Sequence, residues 1–248
     1  SFLPGGPANL SSALAAYERR LERPYSREEL VRQEIVFTDA ALQCPESQLQ
    51  AHGHPYGCGA KRSCGVRIPP MGQPCVVISV GSANGWSFER GFKSHKHCRI
   101  HTLDCTITPR IPEEIRSQVT FHKLCLTGDA TAQTGAGASV RGGLAFISWQ
   151  NFTSLIGLTE PPQLFKMDIE GFERGVVLDM IGDGRTSHLL PHEMALEVHW
   201  GAFARSAALF NPSELTAGSP GASDRVTPGE VAAFLLAMYR RGGYAILD

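Results

Sequence analysis

From Cys75 onward, short β-branched runs alternate with helix-compatible stretches, and that alternation constrains the fold more than any other feature of the chain. The runs are Cys75–Val80, Arg99–Leu103, Val119–Leu124, Leu164–Ile169 and Met194–Val198, with helical pieces expected at 86–93, 148–157, 171–181 and 228–241. Repeated strand–helix units cross over and bring successive strands back parallel, so the expected fold is α/β, a doubly wound, mostly parallel sheet. Helix 228–241 has the clearest start, because Thr227-Pro228-Gly229-Glu230 combines an N-cap, a proline at the first helical position and a glutamate at the third. Tyr244-Ala245-Ile246-Leu247 opens a further strand in which the sequence stops, so C-terminal strands of the sheet are expected to be missing from it.

Ahead of this pattern, residues 8–43 read as two helices. Leu10, Leu14, Tyr17 and Leu21 recur at helical spacing up to Pro24, and Ser26-Arg27-Glu28-Glu29 is a capping box before Leu30, Ile35 and Leu42. Residues 44–74 are dense in Gly and Pro with almost no periodicity, and read as an irregular, cross-linked segment. The expected organisation is an N-terminal helical annex with a Cys/Gly/Pro-rich segment over 1–74 and an α/β domain over 75–248. Two irregular insertions, 128–143 and 201–227, interrupt that domain at lengths uncommon outside lids and binding loops. Ser1-Phe2-Leu3-Pro4 has neither an initiator Met nor the basic and apolar regions of a leader, as expected of a trimmed start.

Composition excludes two classes of partner. Lys and Arg number 23 against 24 Asp and Glu, so no net positive charge exists to neutralise a run of phosphates, and nucleic acid is not expected. Apolar stretches such as Val231–Met238 fall short of the ~18–20 residues of a spanning helix, so no membrane-spanning segment is expected. The cysteines number 7, which leaves at least one thiol unpaired within the chain. Disulfides are expected among Cys44, Cys58, Cys64 and Cys75, with their connectivity open. Zinc on His52, His54, Cys58 and Cys64 is the weaker reading, because that spacing fits no standard module, and no metal site is expected. His95, His97 and His101 read as a solvated, Lys-rich face. Asn151-Phe152-Thr153 is an N-glycosylation sequon inside a predicted helix, and with the cysteines it points to the secretory pathway lumen or the extracellular space.

The chemistry-bearing residues fall at strand ends. Val76-Val77-Ile78-Ser79-Val80 runs into Gly81-Ser82-Ala83-Asn84-Gly85, a turn whose glycine lets backbone approach a ligand and whose following helix offers free N–H groups. The next strand ends in Asp104, about 20 residues on, the offset at which nucleotide-binding α/β proteins hold ribose hydroxyls. Together they suggest an adenosine-containing cofactor, while the absence of G-x-G-x-x-G and G-K-[ST] argues against a dinucleotide or nucleoside triphosphate. Lys166-Met167-Asp168-Ile169-Glu170-Gly171-Phe172-Glu173 carries charges through the exit of an apolar strand, where they are costly unless paired or used. Glu197 and His199 are expected on one face of the following strand, and His199 beside an acidic cluster is a general-base candidate.

The stretches Ser79–Glu89, Thr102–Asp104, Phe165–Glu173 and Leu196–His199 together resemble the FkbM-type S-adenosylmethionine-dependent methyltransferases, in the methyltransferase-like branch with a Cys-bearing segment before the first strand. The K-x-D-[IV]-E-G-x-E motif is the specific part, and the resemblance covers about 60–248. It implies a class I methyltransferase (Rossmann-like) sheet with S-adenosylmethionine across the carboxyl ends of the first two strands. In that picture Gly81, Ser82 and Ala83 meet its methionine part, Asp104 its ribose, and Cys125–Asp129 its adenine side. The implied reaction is methyl transfer to a hydroxyl oxygen of a small-molecule or glycan acceptor, with His199 as base and Asp168 and Glu170 orienting it or the acceptor. The alternative is a non-catalytic methyltransferase fold serving an extracellular assembly. It is suggested by N-terminal helices that offer a protein partner a docking element, and by Trp86 and Cys105 close to the turn.

Overall fold

The computed structural model describes residues 46–53, 61–128, 139–141, 143–169 and 172–197, together with positions 234, 237, 238, 241, 242 and 244. In chain order the strands are β1 (Leu49–His52), β2 (Lys61–Cys64), β3 (Val76–Val80), β4 (Arg99–Leu103), β5 (Val119–His122), β6 (Cys125–Leu126), β7 (Ser139–Arg141), β8 (Leu144–Ile147), β9 (Leu164–Met167) and β10 (Met194–Leu196). The helices are α1 (Ser87–Arg90), α2 (Trp149–Leu155) and α3 (Glu173–Gly182).

Five strands form the central sheet in the order β10-β9-β3-β4-β5, and every pairing in it is parallel. The chain builds outward from β3 through β4 to β5, then returns to lay β9 on the other side of β3. That reversal makes the β3/β9 boundary the switch point, where a crevice opens outside the carboxyl ends of the strands. This is the doubly wound, Rossmann-like α/β architecture that the alternating runs predict.

A parallel sheet needs cover on both faces. Ile78, Val80, Leu103, Phe165 and Met167 face a core completed by Trp149 and Phe152 of α2, by Val176, Val177 and Met180 of α3, and by Phe234 and Met238. On the other face Val77, Ile100, Leu164 and Ala195 pack against Trp86, Phe88, Phe92 and Ile115. Each large apolar side chain so buried contributes roughly 1.5–3 kcal/mol. The helix α2 starts where the Ser148 hydroxyl accepts the Asn151 N–H at 3.3 Å.

The structure departs from the sequence expectations at identifiable places. The helix expected over 86–93 is the single turn α1, because beyond it the amides of Phe92, Lys93, His95 and Cys98 bond three residues back rather than four. A helix of one turn has no appreciable macrodipole, so that part of the cofactor argument lapses. Residues 44–74 hold an antiparallel hairpin, β1 with β2, paired from Leu49↔Cys64 to His52↔Lys61. KRSC has no apolar–polar alternation, and LQAH alternates over only four residues with its apolar Leu49 and Ala51 exposed and His52 buried, so neither carries a usable period-2 signal. The insertion 128–143 contributes β7, which pairs antiparallel with β8, while β8 pairs parallel with β6 in a second small sheet.

Cys75 is bridged to Cys98, outside the expected set of four, and Cys105 is bridged to Cys125. Parallel neighbours bring strand starts together whatever their separation in sequence, and Cys75 and Cys98 immediately precede the adjacent strands β3 and β4. Cys64 is also disulfide-bonded. His52 is buried, bonds Ser63 Oγ at 2.6 Å and stacks on Phe92. The sequon lies in α2 with Phe152 and Thr153 buried. The expected helices over 8–43, the 201–227 insertion, Cys44, His54 and Cys58 lie outside the described residues.

His101 belongs to no solvated face. Its Nδ1 lies 3.0 Å from His122 Nε2 across β4 and β5, the two rings stack, and Phe152 stands edge-on to both. Burial, reinforced by His122 and Arg99, brings the pKa of His101 down to about 4; burial lowers His122 as well. Burial and His95 hold His52 at about 4. The unfolded chain, with histidines near 6.5, therefore takes up protons that the native state refuses, and stability falls as pH drops from about 6.5 towards 4. Urea unfolding is expected to show a lower midpoint at about pH 5 than at about pH 7.5, with a shallower pH slope in the His101→Phe variant. An unchanged slope would remove this pair as the cause.

Candidate functional site

Each central strand hands its hydrogen-bond ladder one residue beyond its end. Gly81 N donates to Leu103 O at 2.9 Å, Asp104 N to His122 O at 3.1 Å, Asp168 N to Val80 O at 3.0 Å and Glu197 N to Met167 O at 2.9 Å. These bonds align Gly81, Asp104, Asp168 and Glu197 along the carboxyl edge.

Gly81 has φ +79°, and a Cβ there would stand 1.7 Å from the Asp168 carbonyl oxygen. The position needs glycine because the end of β9 lies against it, a reason independent of any ligand. Ala83 and Asn84 follow at φ 46° and 62°, a left-handed pair without glycine that costs about 1–2 kcal/mol per residue. Two polar side chains offset that cost. Asp104 Oδ2 accepts the amides of Ser82 at 3.1 Å and Ala83 at 2.8 Å, while Oδ1 accepts Thr106 N at 3.0 Å and Thr106 Oγ1 at 2.7 Å. Asn84 donates through Nδ2 to Thr108 O at 3.1 Å and accepts Arg110 N at 2.8 Å. The loops after β3 and β4 are thereby laced together.

Under the turn lies a buried polar layer. Two residues beyond Val77, Ile100 and Leu164 on the same face come Ser79, Thr102 and Lys166, neighbours in register and all buried. The ammonium of Lys166 donates to the carbonyls of Val80, at 3.2 Å, and Gly81. Glu89 of α1 accepts Thr102 Oγ1 at 3.3 Å. Burial pushes Lys166 down and Glu89 up from their ordinary ranges, so each buried group is drawn towards its neutral form. Ser79 and Thr102 are hydroxyl partners of the buried Glu89 carboxylate, while Ser82 Oγ and Trp86 Nε1 are buried without a hydrogen-bond partner. Buried polar atoms rarely stay unpaired, and Ser82 Oγ, in the turn itself, fits a site whose bonding a polar ligand completes.

Lys61 enters this edge from the hairpin. It is 6% exposed, its ammonium pairs with Glu197 and lies 3.5 Å from Asp168 Oδ2, and those carboxylate side chains are 33% and 24% exposed. The cation is thus buried beneath carboxylates that open to solvent. The hairpin is held by His52, whose ring stacks on Phe92 at 5.0 Å, and by Glu193 Oε1, which accepts Cys64 N at 2.6 Å.

Of the residues singled out from sequence, Gly81, Ser82, Ala83, Asp104 and Asp168 come together here, whereas Glu170 and His199 lie outside the described residues. Sequence reasoning missed Lys61, Ser79, Thr102 and Glu89. A signal for two of them exists, since Ser79 and Thr102 are polar interruptions of β-branched runs at the register of Lys166. Trp86 packs edge-on to Phe121 at 6.4 Å and Cys105 forms a disulfide, so both have structural partners. Among the described residues the close His/Cys/Asp/Glu group is Cys75, His97 and Cys98; its two sulfurs are bonded to each other and His97 bonds Pro69 O.

A parallel sheet in this order, with a left-handed glycine turn after its first strand and an acidic residue ending the second, defines a Rossmann-like α/β protein with its candidate site at the carboxyl edge. A family model described as a methyltransferase domain matches residues 37–216, and the chain belongs to that family. The match includes the hairpin that delivers Lys61. No curated protein and no solved structure matches the chain. No helix among the described residues is long and apolar enough to cross a membrane.

The turn geometry makes a stability prediction of opposite sign at neighbouring positions. Gly81→Ala is expected to cost about 3 kcal/mol or more, because the new methyl meets backbone. Ala83→Gly is expected to add about 1 kcal/mol by relieving a left-handed alanine. The Gly81→Val variant, which sequence alone would offer as a fold-neutral test of cofactor binding, is therefore a folding variant. Urea unfolding of the two glycine–alanine exchanges decides the matter, and a neutral Gly81→Ala would refute the close approach.

Proposed function

We propose that the protein is an S-adenosylmethionine-dependent O-methyltransferase of the FkbM type, acting on a hydroxylated small-molecule or glycan acceptor in the secretory pathway lumen or outside the cell. The observation that carries this reading is the left-handed Gly81–Asn84 turn with the buried, unpaired Ser82 hydroxyl, in a chain of methyltransferase family. When bound, the cofactor supplies a methyl group on a positively charged sulfur. Gly81, Ser82 and Ala83 cradle its methionine part, and the Ser82 hydroxyl, buried without a partner, gains one. Asp104 would hold the ribose. Asp168 and Glu170 would orient the acceptor, and His199 would take its hydroxyl proton as the methyl carbon–sulfur bond breaks and the carbon–oxygen bond forms, the positively charged sulfur leaving as a neutral thioether. Such a reaction needs in-line placement and a proton acceptor, so positioning dominates its catalysis. The disulfides Cys75–Cys98 and Cys105–Cys125 support an oxidising compartment. In this reading residues 75–248 form the methyltransferase domain and 1–74 an annex that completes its edge through Lys61.

Calorimetric titration with S-adenosylmethionine is expected to show micromolar binding, and no heat at millimolar cofactor would overturn the assignment in favour of a binding or structural module. Asp104→Asn is expected to weaken binding by about 10- to 100-fold, the equivalent of one lost charge-assisted bond. His199→Ala is expected to lower turnover on a responsive glycan or phenol by about 10²–10⁴-fold with cofactor affinity nearly unchanged. Equal turnover would shift the base to Asp168 or Glu170.

A further inference from the structure

We propose that the Cys105–Cys125 disulfide is a positioning element of the cofactor turn, so that cofactor affinity depends on this bridge being formed. The proposal rests on the cofactor assignment above and adds to it the part of the fold that keeps the turn in its binding shape. Cys105 is the residue between Asp104 and Thr106, and both of these are joined by the Asp104 carboxylate, whose other oxygen holds the amides of Ser82 and Ala83. Residues 104–112, between β4 and the short 3-10 turn Glu113–Ile115, belong to no strand or helix. Their backbone is therefore held by the ladder bond of Asp104, by side-chain bonds from Asp104 and Asn84, and by the bridge.

The far end of the bridge is firmly seated. Cys125 opens β6, which pairs with β8; Thr127 N continues that ladder to Ile147 O at 3.0 Å, and Leu126 is buried in the core with Ile147 and Trp149. The disulfide thus transmits the rigidity of that core to the peptide segment whose Asp104 accepts the Ser82 and Ala83 amides. Ala83 and Asn84 are the residues that need the clamp, since their left-handed conformations persist only while the surroundings impose them.

The second bridge is a built-in control. The cysteines of Cys75–Cys98 are separated by 23 in sequence and those of Cys105–Cys125 by 20, so loop closure stabilises the chain to nearly the same extent through each. Cys75–Cys98, however, lies at the opposite, amino edge of β3 and β4. A purely structural role predicts equal consequences for the two; a positioning role predicts that only one reaches the turn.

The test compares the wild-type chain with Cys105→Ser/Cys125→Ser and Cys75→Ser/Cys98→Ser. Without cofactor, hydrogen exchange at the Ser82 and Ala83 amides is expected to quicken about ten-fold or more in the first pair relative to the second. S-adenosylmethionine binding, measured calorimetrically, is expected to weaken about ten-fold or more in the first pair and less than about two-fold in the second. If the wild type binds cofactor and both pairs bind alike, the proposal is overturned. If the wild type does not bind, the functional reading fails separately, and equal exchange in the two pairs overturns the hold of the bridge on the turn. Should the first pair fail to fold, folded wild type is titrated with dithiothreitol, which gives two electrons and two protons to each bridge and becomes its own cyclic disulfide. Alkylation and peptide mapping then show which bridge has opened. Quickened exchange at Ser82 and Ala83 that follows Cys105–Cys125 supports the proposal, and exchange that follows Cys75–Cys98 overturns it.

Discussion

Lys166 carries an ammonium into the middle of a parallel sheet, and a charge there is tolerated only if nearly all of its bonding capacity is met. It meets that demand with the carbonyls of Val80 and Gly81, at the point where β3 stops and its ladder would otherwise end. Gly81 can serve because it has no side chain: its backbone turns left-handed, and the Asp168 backbone settles where a Cβ would be. From this contact the rest of the edge is determined in sequence. The turn after Gly81 must climb away through Ala83 and Asn84, Asp104 must supply acceptors for the amides so exposed, and Asp168 is placed beside Glu197 one strand further on.

How much of this could be read from the amino-acid order follows from the range of the interactions. β3 and β9 were legible because a strand buried on both faces must be a continuous apolar run, and Val76–Val80 and Leu164–Met167 are such runs apart from Ser79 and Lys166. The parallel order follows from the helices between them. β1, β2 and β7 were not legible, since their short polar strands are stabilised by what they lie beside and not by their own patterning. The disulfide partners were only partly legible for a related reason. Cys64 and Cys75 are oxidised as expected, but parallel pairing sets Cys75 beside Cys98, which lies outside the expected set and comes from the far end of a crossover.

The candidate site divides the same way. Gly81, Asp104 and Asp168 announce themselves locally, as a glycine, an acid and an acid each just past a strand-like run. Lys61 does not, because nothing near it in sequence refers to the strand ends it joins. The chemistry of the acidic exits nevertheless demanded it. Asp168 and Glu197 stand one residue beyond adjacent strands, and two carboxylates brought together repel unless a cation intervenes. A sequence with several acids at such exits and one internal lysine already committed to backbone carbonyls implies a second cation from elsewhere, and the family match that begins at residue 37 includes the hairpin that supplies it.

The placement of that second cation bears on what the crevice can receive. The Lys61 ammonium is buried while both carboxylate side chains are partly exposed, so the negative charge of the cluster lies nearer to solvent than its cation. A ligand group that donates hydrogen bonds gains there; one that brings its own negative charge meets repulsion in a partly desolvated setting where it is poorly screened. The reverse arrangement, with carboxylates buried and lysines outermost, would favour anions. This asymmetry is compatible with the proposed hydroxyl acceptor, and it lies in a hairpin outside the central sheet. In the proposed function the sheet and its turn serve the cofactor, while the hairpin sets the charge that an acceptor meets.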